Sequence, residues 1–205
     1  WLYKYKSVNK ANAQIANEEK RKVAEQKAQE AAAKEQAKLD AQKEKEEFYL
    51  ERCCTKTIEL INPNFVSQDI KIVYKTENIK VHGYETELIQ VLINILNNSK
   101  DALLSQNNDE RFIFIDIFKK DDKAIIEIND NAGGIDEEII NKIYEPYFTT
   151  KHQSQGTGIG LFMCREIVNK HMNGHIDISN ITFEFNNKSY KGALVKIILE
   201  NLVNE

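Results

Sequence analysis

Residues that break helices are scarce in this sequence. Two prolines occur in 205 residues, and neither proline nor glycine appears in the first 62. Nothing there punctuates the chain into turns. Cysteine is almost absent. Cys53, Cys54 and Cys164 make an odd count with an adjacent pair, which excludes a disulfide framework and points to a reducing, cytosolic compartment. No Cys/His spacing suits a metal, so the three thiols are read as small buried hydrophobes. No apolar run approaches the roughly 18 residues of a membrane span, and no signal peptide is visible. An excess of basic charge is also missing. Lys and Arg total 28 against 32 Asp and Glu, a net charge of -4, which argues against nucleic acid as a partner. Histidine is missing from residues 1–81.

What is present falls into two regions. Residues 10–47 are mostly Ala, Lys, Glu and Gln, strong helix formers. Glu18/Lys22 and Glu30/Lys34 stand four apart in the favourable order. Segment 30–35, EAAAKE, has the composition of a semi-rigid helical spacer. One helix over 10–47 would run about 57 Å. Its only large apolar residues, Ile15, Val23 and Leu39, keep no heptad register. The region is therefore a solvated spacer or, alternatively, a weak Ala-seam coiled coil that makes a homodimer. Residues 1–9 open with aromatics followed by lysines, Trp1-Leu-Tyr-Lys-Tyr-Lys6, a pattern of the cytoplasmic edge of a membrane helix. The chain starts without Met, so a fragment is expected, and the parent protein is expected to be anchored in the inner membrane just before Trp1. A frayed end is the alternative.

From residue 48 to 205 the pattern changes to short strands and helices. Helices are expected over 51–62, ended by Pro63, and over 84–104, 136–143 and 158–172. Strands are expected over 70–74, 79–82, 111–118, 123–129, 176–179 and 193–199, the third and fourth as a hairpin. This grouping gives an α+β class with helices on one face of a mostly antiparallel sheet.

Three motifs in this region carry chemistry. In the 84–104 helix, Leu88, Val91, Leu92, Ile95, Leu96, Ala102 and Leu103 form an apolar stripe. Opposite it, Glu87, Asn94, Asn98 and Asp101 form a polar one. Asn is a poor interior helix residue, but its carbonyl is a good hard-oxygen ligand for Mg²⁺, which takes only one or two protein oxygens. In Ile126-Glu-Ile-Asn-Asp-Asn-Ala-Gly-Gly-Ile135 a strand runs into an Asp able to accept from an exocyclic amine. Two glycines then let backbone approach a flat ligand. In Gln155-Gly-Thr-Gly-Ile-Gly-Leu161 three alternating glycines open a helix and present amide N–H groups to an anion. Neither a P-loop nor a dinucleotide fingerprint fits it. Between the last two lies Tyr144-Glu-Pro-Tyr-Phe-Thr-Thr-Lys151, an aromatic anchor before a polar stretch, as a hinged lid needs.

In this order, the Asn-bearing helix, Asp-x-Ala-Gly-Gly, Tyr-Glu-Pro-Tyr-Phe-Thr-Thr-Lys and Gly-Thr-Gly-Ile-Gly-Leu resemble the four boxes of the sensor histidine kinase catalytic domain. That domain is part of the ATPase superfamily shared with gyrase, Hsp90 and MutL. The resemblance covers about 48–205. It implies a two-layer α/β sandwich of the Bergerat type and a kinase that binds Mg-ATP. It implies Asn98 as the Mg²⁺ ligand, Asn94 beside the phosphates, and Asp130 as acceptor for the adenine amino group. Asp101, Ala132, Gly134 and Ile135 would line the nucleotide pocket. Tyr147 and Phe148 would anchor the lid, with Thr149 also on the nucleotide side. Gly156, Thr157, Gly158, Ile159, Gly160 and Leu161 would form its phosphate-side hinge, with Lys151 reaching the phosphates. The Tyr-Glu-Pro-Tyr-Phe box favours the kinase branch. Gyrase-like members would place a Glu general base where this chain has Asn94.

A phosphoacceptor His followed by an acidic residue and a Pro would complete a histidine kinase. His82, His152, His171 and His175 all lack that context. The expected acceptor therefore lies outside this chain, with a response regulator downstream of it. A non-catalytic nucleotide-binding module or a superfamily ATPase are the alternatives.

Overall fold

The computed structural model describes residues 45–106, 110–150 and 157–203. Residues 10–44 of the helix expected over 10–47 lie outside these, as do Lys151, His152 and Gly156.

The described residues begin with strand β1 (Glu46–Tyr49), helix α1 (Leu50–Val66), β2 (Ile70–Thr76), β3 (Lys80–Gly83) and the long α2 (Glu85–Ser105). The hairpin of β4 (Arg111–Lys120) and β5 (Lys123–Asp130) follows, then a single turn α3 (Glu137–Ile140). Helix α4 (Gly160–Glu166) rewinds into a π-helical turn over Ile167–His171, and β6 (Gly174–Phe185) and β7 (Lys188–Leu199) finish the main sheet. Five strands pair in the order β2-β4-β5-β7-β6. Only β2 and β4 are parallel. The mostly antiparallel sheet with helices on one face is the architecture the sequence pattern implied.

Alternation places the core between the layers. Ile113, Ile115 and Ile117 of β4, Ile126 and Ile128 of β5, and Val195, Ile197 and Leu199 of β7 are buried on the inner face. They meet Leu88, Val91, Leu92, Ile95, Leu96 and Leu103 of α2 in one cluster. Helix α1 adds Leu50, Cys53, Cys54, Ile61 and Phe65 at steps of three and four. All three cysteines are buried. Burial pushes the Cys54 thiol up to about 11 and the Cys164 thiol up to about 12, so neither forms a thiolate at neutral pH.

Several local expectations are corrected. Helix α1 does not end before Pro63 but continues through it to Val66. Proline forfeits one helical hydrogen bond, but Phe65, with no solvent exposure, docks in the core and carries the last turn onward. The helix expected over 158–172 starts at Gly160 and changes winding at Ile167, where Met172 N–H donates to Ile167 O (3.1 Å), the five-residue step of a π turn. The 136–143 helix is only one turn, capped by Asp136 Oδ1 accepting from Glu138 N–H (2.9 Å). Glu46 and Glu47, expected to close the spacer helix, instead pair with Gly83 and His82 as part of β1.

The largest difference is the β6–β7 hairpin, which extends well beyond 176–179 and 193–199. Asn186 (φ 50) and Asn187 (φ 61) make a turn with both central residues left-handed, the kind that joins two twisted strands tightly. Its outer half lays Phe183 and Phe185 on Phe114 (ring centroids 5.3 and 4.9 Å) and Phe185 on Phe112 (5.1 Å). Strand β3 is also flanked on both sides. β1 pairs with one edge, and on the other Val81 pairs with Leu202, with Val203 N–H donating to Lys80 O (3.0 Å).

Candidate functional site

The polar stripe of α2 divides. Glu87 is buried, 6% exposed, and its Oε2 stands 2.7 Å from His171 Nδ1, so it ties α2 to the π turn and does not join the site. Two to four turns further along, Asn94, Asn98 and Asp101 are half-buried. Asn94 faces the start of α4, since a Cβ built on Gly160 would stand 3.4 Å from Asn94 Oδ1. Glycine therefore leaves room between the amide and the first turn of α4. Helix α4 is seated on α2 by Cys164, whose thiol donates to Val91 O (3.7 Å).

Across the inner face, β5 ends at Asp130, only 3% exposed. Its Oδ1 accepts from Ala132 N–H (3.0 Å) and Ala193 N–H (3.2 Å). Burial still dominates and raises the Asp130 carboxyl above its ordinary value. The two main-chain donors and the Ser99 hydroxyl oppose that shift without cancelling it.

The turn beyond Asp130 is fixed residue by residue. Asn131 Oδ1 accepts from Phe112 N–H (2.8 Å), and its Nδ2 donates to Glu110 O (3.0 Å). Gly133 N–H donates to Lys191 O (2.9 Å). Gly133 and Gly134 have φ of 87° and 92°, which a side chain would strain. Ile135 N–H donates to Asn180 Oδ1 and Ile135 O accepts from Asn180 Nδ2, both at 2.7 Å. Ala132 is buried and Ile135 packs against the core cluster. A separate polar depression of about 320 Å³, lined by Gln106, Glu110, Lys188 and Tyr190, reaches the site only at Asn131–Gly133.

The aromatic box is anchored differently from the sequence expectation. Phe148 packs against the core, but the Tyr147 ring is 72% exposed and anchors nothing. Tyr144 does so instead. It packs against the core, Arg165 lies 4.9 Å over its ring, and its hydroxyl donates to Ile176 O (3.4 Å). Tyr147 contributes its backbone, since its N–H donates to Gly158 O (3.0 Å). Both have left-handed φ, and a Cβ on Gly158 would fall 2.4 Å from Tyr147 C. Gly158→Ala is expected to weaken this junction by about 1–2 kcal/mol. Exchange of the Tyr147 amide hydrogen, accelerated roughly tenfold, is the measurement. Thr149 is half-buried, Thr157 is exposed, and Ile159 and Leu161 are half-buried beside Gly160.

The described structure thus brings Asn94, Asn98 and Asp101 on one helix into the same region as Asp130, the Gly133–Gly134 turn and the Gly158–Gly160 segment. Sequence reading gave no role of their own to Asn131 and Tyr144, though both lie in motifs it singled out, and none to Asn180 and Gly192. Gly192 stands just before the strand expected over 193–199 and is part of β7. A Cβ there would fall 1.6 Å from Asp130 O.

Residues 83–201, more than half of the chain, match the family described as histidine kinase-, DNA gyrase B-, and HSP90-like ATPase. The chain belongs to this family. Within the ATPase family its relatives are sensor kinases. It is 34% identical over 108 residues to the two-component sensor PprA of Pseudomonas aeruginosa, covering 51% of this chain and 12% of PprA. It is 31% identical over 153 residues to the sensor protein DegM of Bacillus sp. (strain B21-2), covering 74% of this chain and 37% of DegM. The chain thus spans well under half the length of these curated relatives. Among solved structures, the nucleotide-free catalytic domain of histidine kinase ThkA superposes with a TM-score of 0.63 at 27% identity, covering 77% of this chain and 95% of that one. ThkA in complex with the response regulator protein TrrA shares the fold, with a TM-score of 0.58 at 24% identity over 86% of this chain and 48% of that one. The described unit has the fold of this ATPase family in the form seen in the catalytic domains of sensor histidine kinases. No helix among the described residues is long and apolar enough to cross a membrane.

Proposed function

We propose that this unit binds ATP with Mg²⁺ and delivers the γ-phosphoryl group to a histidine outside this chain. The observation that carries the reading is the buried Asp130 carboxylate, held by two main-chain donors at the end of β5, with α2 packed on the same face of the sheet and presenting Asn94 and Asn98. Asp130 would accept from the adenine amino group, Gly134 and Ile135 would line the base, and Asp101 would border the pocket.

The amide oxygen of Asn98 suits Mg²⁺, with that of Asn94 beside it near the phosphates. They are hard donors, Gly160 leaves space beside Asn94, and among the described residues no group of three or more His, Cys, Asp or Glu could hold a metal alone. Such a donor set matches an ion that completes its octahedron with phosphates and water. When bound, Mg²⁺ neutralises phosphate charge. The protein's part is positioning, because phosphoryl transfer asks little else of it. Asn94 stands where a hydrolase would carry a carboxylate base, and an amide cannot take a proton from water. That favours transfer over hydrolysis. Lys151 and Gly156 are assigned to the phosphate side on the resemblance alone.

The phosphoacceptor domain, a response regulator and a homodimer through residues 10–47 complete the proposed system, with the ATP-binding unit on the cytoplasmic side. The test is incubation of the chain with Mg²⁺ and γ-labelled ATP, alone and with a histidine-bearing helical hairpin from a sensor kinase. Acid-labile, base-stable label is expected on the hairpin only, and Asn98→Ala abolishes it. Label on the chain alone would show that one of its own histidines is the acceptor, and ATP release of free phosphate without transfer would favour the ATPase reading.

A further inference from the structure

Asn180 lies on β6, far from every motif, yet its side-chain amide forms a closed two-point pair with the main chain of Ile135. Oδ1 accepts from Ile135 N–H and Nδ2 donates to Ile135 O, both at 2.7 Å. The approach is so close that a Cβ on Gly134 would stand 2.6 Å from Asn180 Oδ1. Asn180 pairs in register with Ala193, the residue whose N–H holds Asp130. The same strand pair therefore fixes the acidic group from one side and the turn from the other. We infer that Asn180 is a positioning residue that sets the shape of the base-binding turn and thereby the preference for adenine over guanine. This rests on the nucleotide reading above.

The chemistry is specific. Adenine offers an amine where guanine offers a carbonyl, so discrimination depends on how firmly the Asp130 acceptor and the 132–135 backbone are held against the base. Main-chain groups of Gly133 and Gly134 have no side chain to steady them, and both occupy left-handed φ. Asn180 is the only described side chain that hydrogen-bonds Ile135 on both its N–H and its C=O. It is itself exposed and takes no part in the buried core, so its two bonds should contribute little to global stability. Their effect is confined to the turn.

The experiment compares the wild-type chain with Asn180→Ala and Asn180→Asp in four readouts: ATP affinity, GTP affinity, thermal midpoint and exchange of the Ile135 amide hydrogen. In Asn180→Ala, ATP binding is expected to weaken about threefold to tenfold with GTP changed less, so the ATP/GTP ratio falls. The Ile135 amide exchanges faster, and the midpoint moves by less than about 2 °C. Asn180→Asp keeps the acceptor for Ile135 N–H but loses the donor, so it should fall between the two. An unchanged ratio overturns the inference, as does an equal loss for both nucleotides with a lowered midpoint, which would mark Asn180 as merely structural. If the wild-type chain binds no nucleotide, the functional proposal fails first, and that titration alone shows it.

Discussion

Asp130→Asn is expected to bind ATP about a hundredfold more weakly than the wild type while unfolding at the same temperature or higher. The two halves have separate causes. Asparagine keeps an oxygen that accepts from Ala132 N–H and Ala193 N–H, so the turn stays in place. Its other terminal atom becomes an NH₂ donor where the bound adenine also presents a donor. One charge-assisted hydrogen bond is lost and two donors are left facing each other, a loss of about 3 kcal/mol. Stability moves the other way because burial raises the Asp130 carboxyl above its ordinary value. For a group whose value is raised on folding, the favourable contribution is complete below the unfolded value and is lost as pH rises through the folded one. Ionising the carboxyl therefore costs stability, and a neutral amide removes that cost. Melts of wild type taken upward from the ordinary carboxylate range should show a component that falls with rising pH and is missing from Asp130→Asn. Calorimetric ATP titration supplies the other half. An Asn variant that binds ATP normally would remove Asp130 from the base site.

Gly192→Ala should be the most destabilising single-methyl change in the sheet, by about 3 kcal/mol or more. At Gly83 and Gly134 an added Cβ would first meet a side chain, of Met172 and Asn180 respectively, which can move. At Gly192 the added Cβ would lie 1.6 Å from Asp130 O and 2.6 Å from Asp130 C, both backbone of the neighbouring strand. Relief requires β5 and β7 to part, which loosens the pairing at Asn129–Leu194 and the Ala193 hold on Asp130. Overpacking of a well-filled core already costs about 1–3 kcal/mol, and central strands cannot relax outward. Against a total stability of about 5–15 kcal/mol, this is a large fraction. Denaturant unfolding measures it, and a loss below about 1 kcal/mol would show that the strands can separate locally.

The parts of this site that could be read in the sequence share one property: their geometry is local. Asn94, Asn98 and Asp101 fall on one helix face by spacing alone. Asp130 follows from a strand running into small residues, and Gly158 and Gly160 from their alternation. The chain order of these motifs then identified the family. What could not be read depends on partners distant in sequence. Glu87 belongs to the same periodic stripe as Asn94, yet a histidine 84 residues away claims it for the core. Tyr147 and Tyr144 are equivalent by composition, and only Arg165 and Ile176 distinguish the anchored ring from the exposed one. The outer half of the β6–β7 hairpin, Ile181-Thr-Phe-Glu-Phe185, alternates as a strand does, but its apolar face has no local partner and is explained only by Phe112 and Phe114 of β4, which receive its rings. Asn186-Asn187 was a usable turn signal. Pro63 was a true helix-breaking signal, overridden by the burial of Phe65.

Because β3 is gripped by β1 on one edge and by the segment around Leu202 on the other, β1 and that segment lie two strand spacings apart, on the order of 10 Å. Tension applied between Glu46 and Val203 would therefore load these pairings directly, through β3. Since β3 leads within two residues into α2, these pairings also meet the root of the helix bearing Asn94 and Asn98.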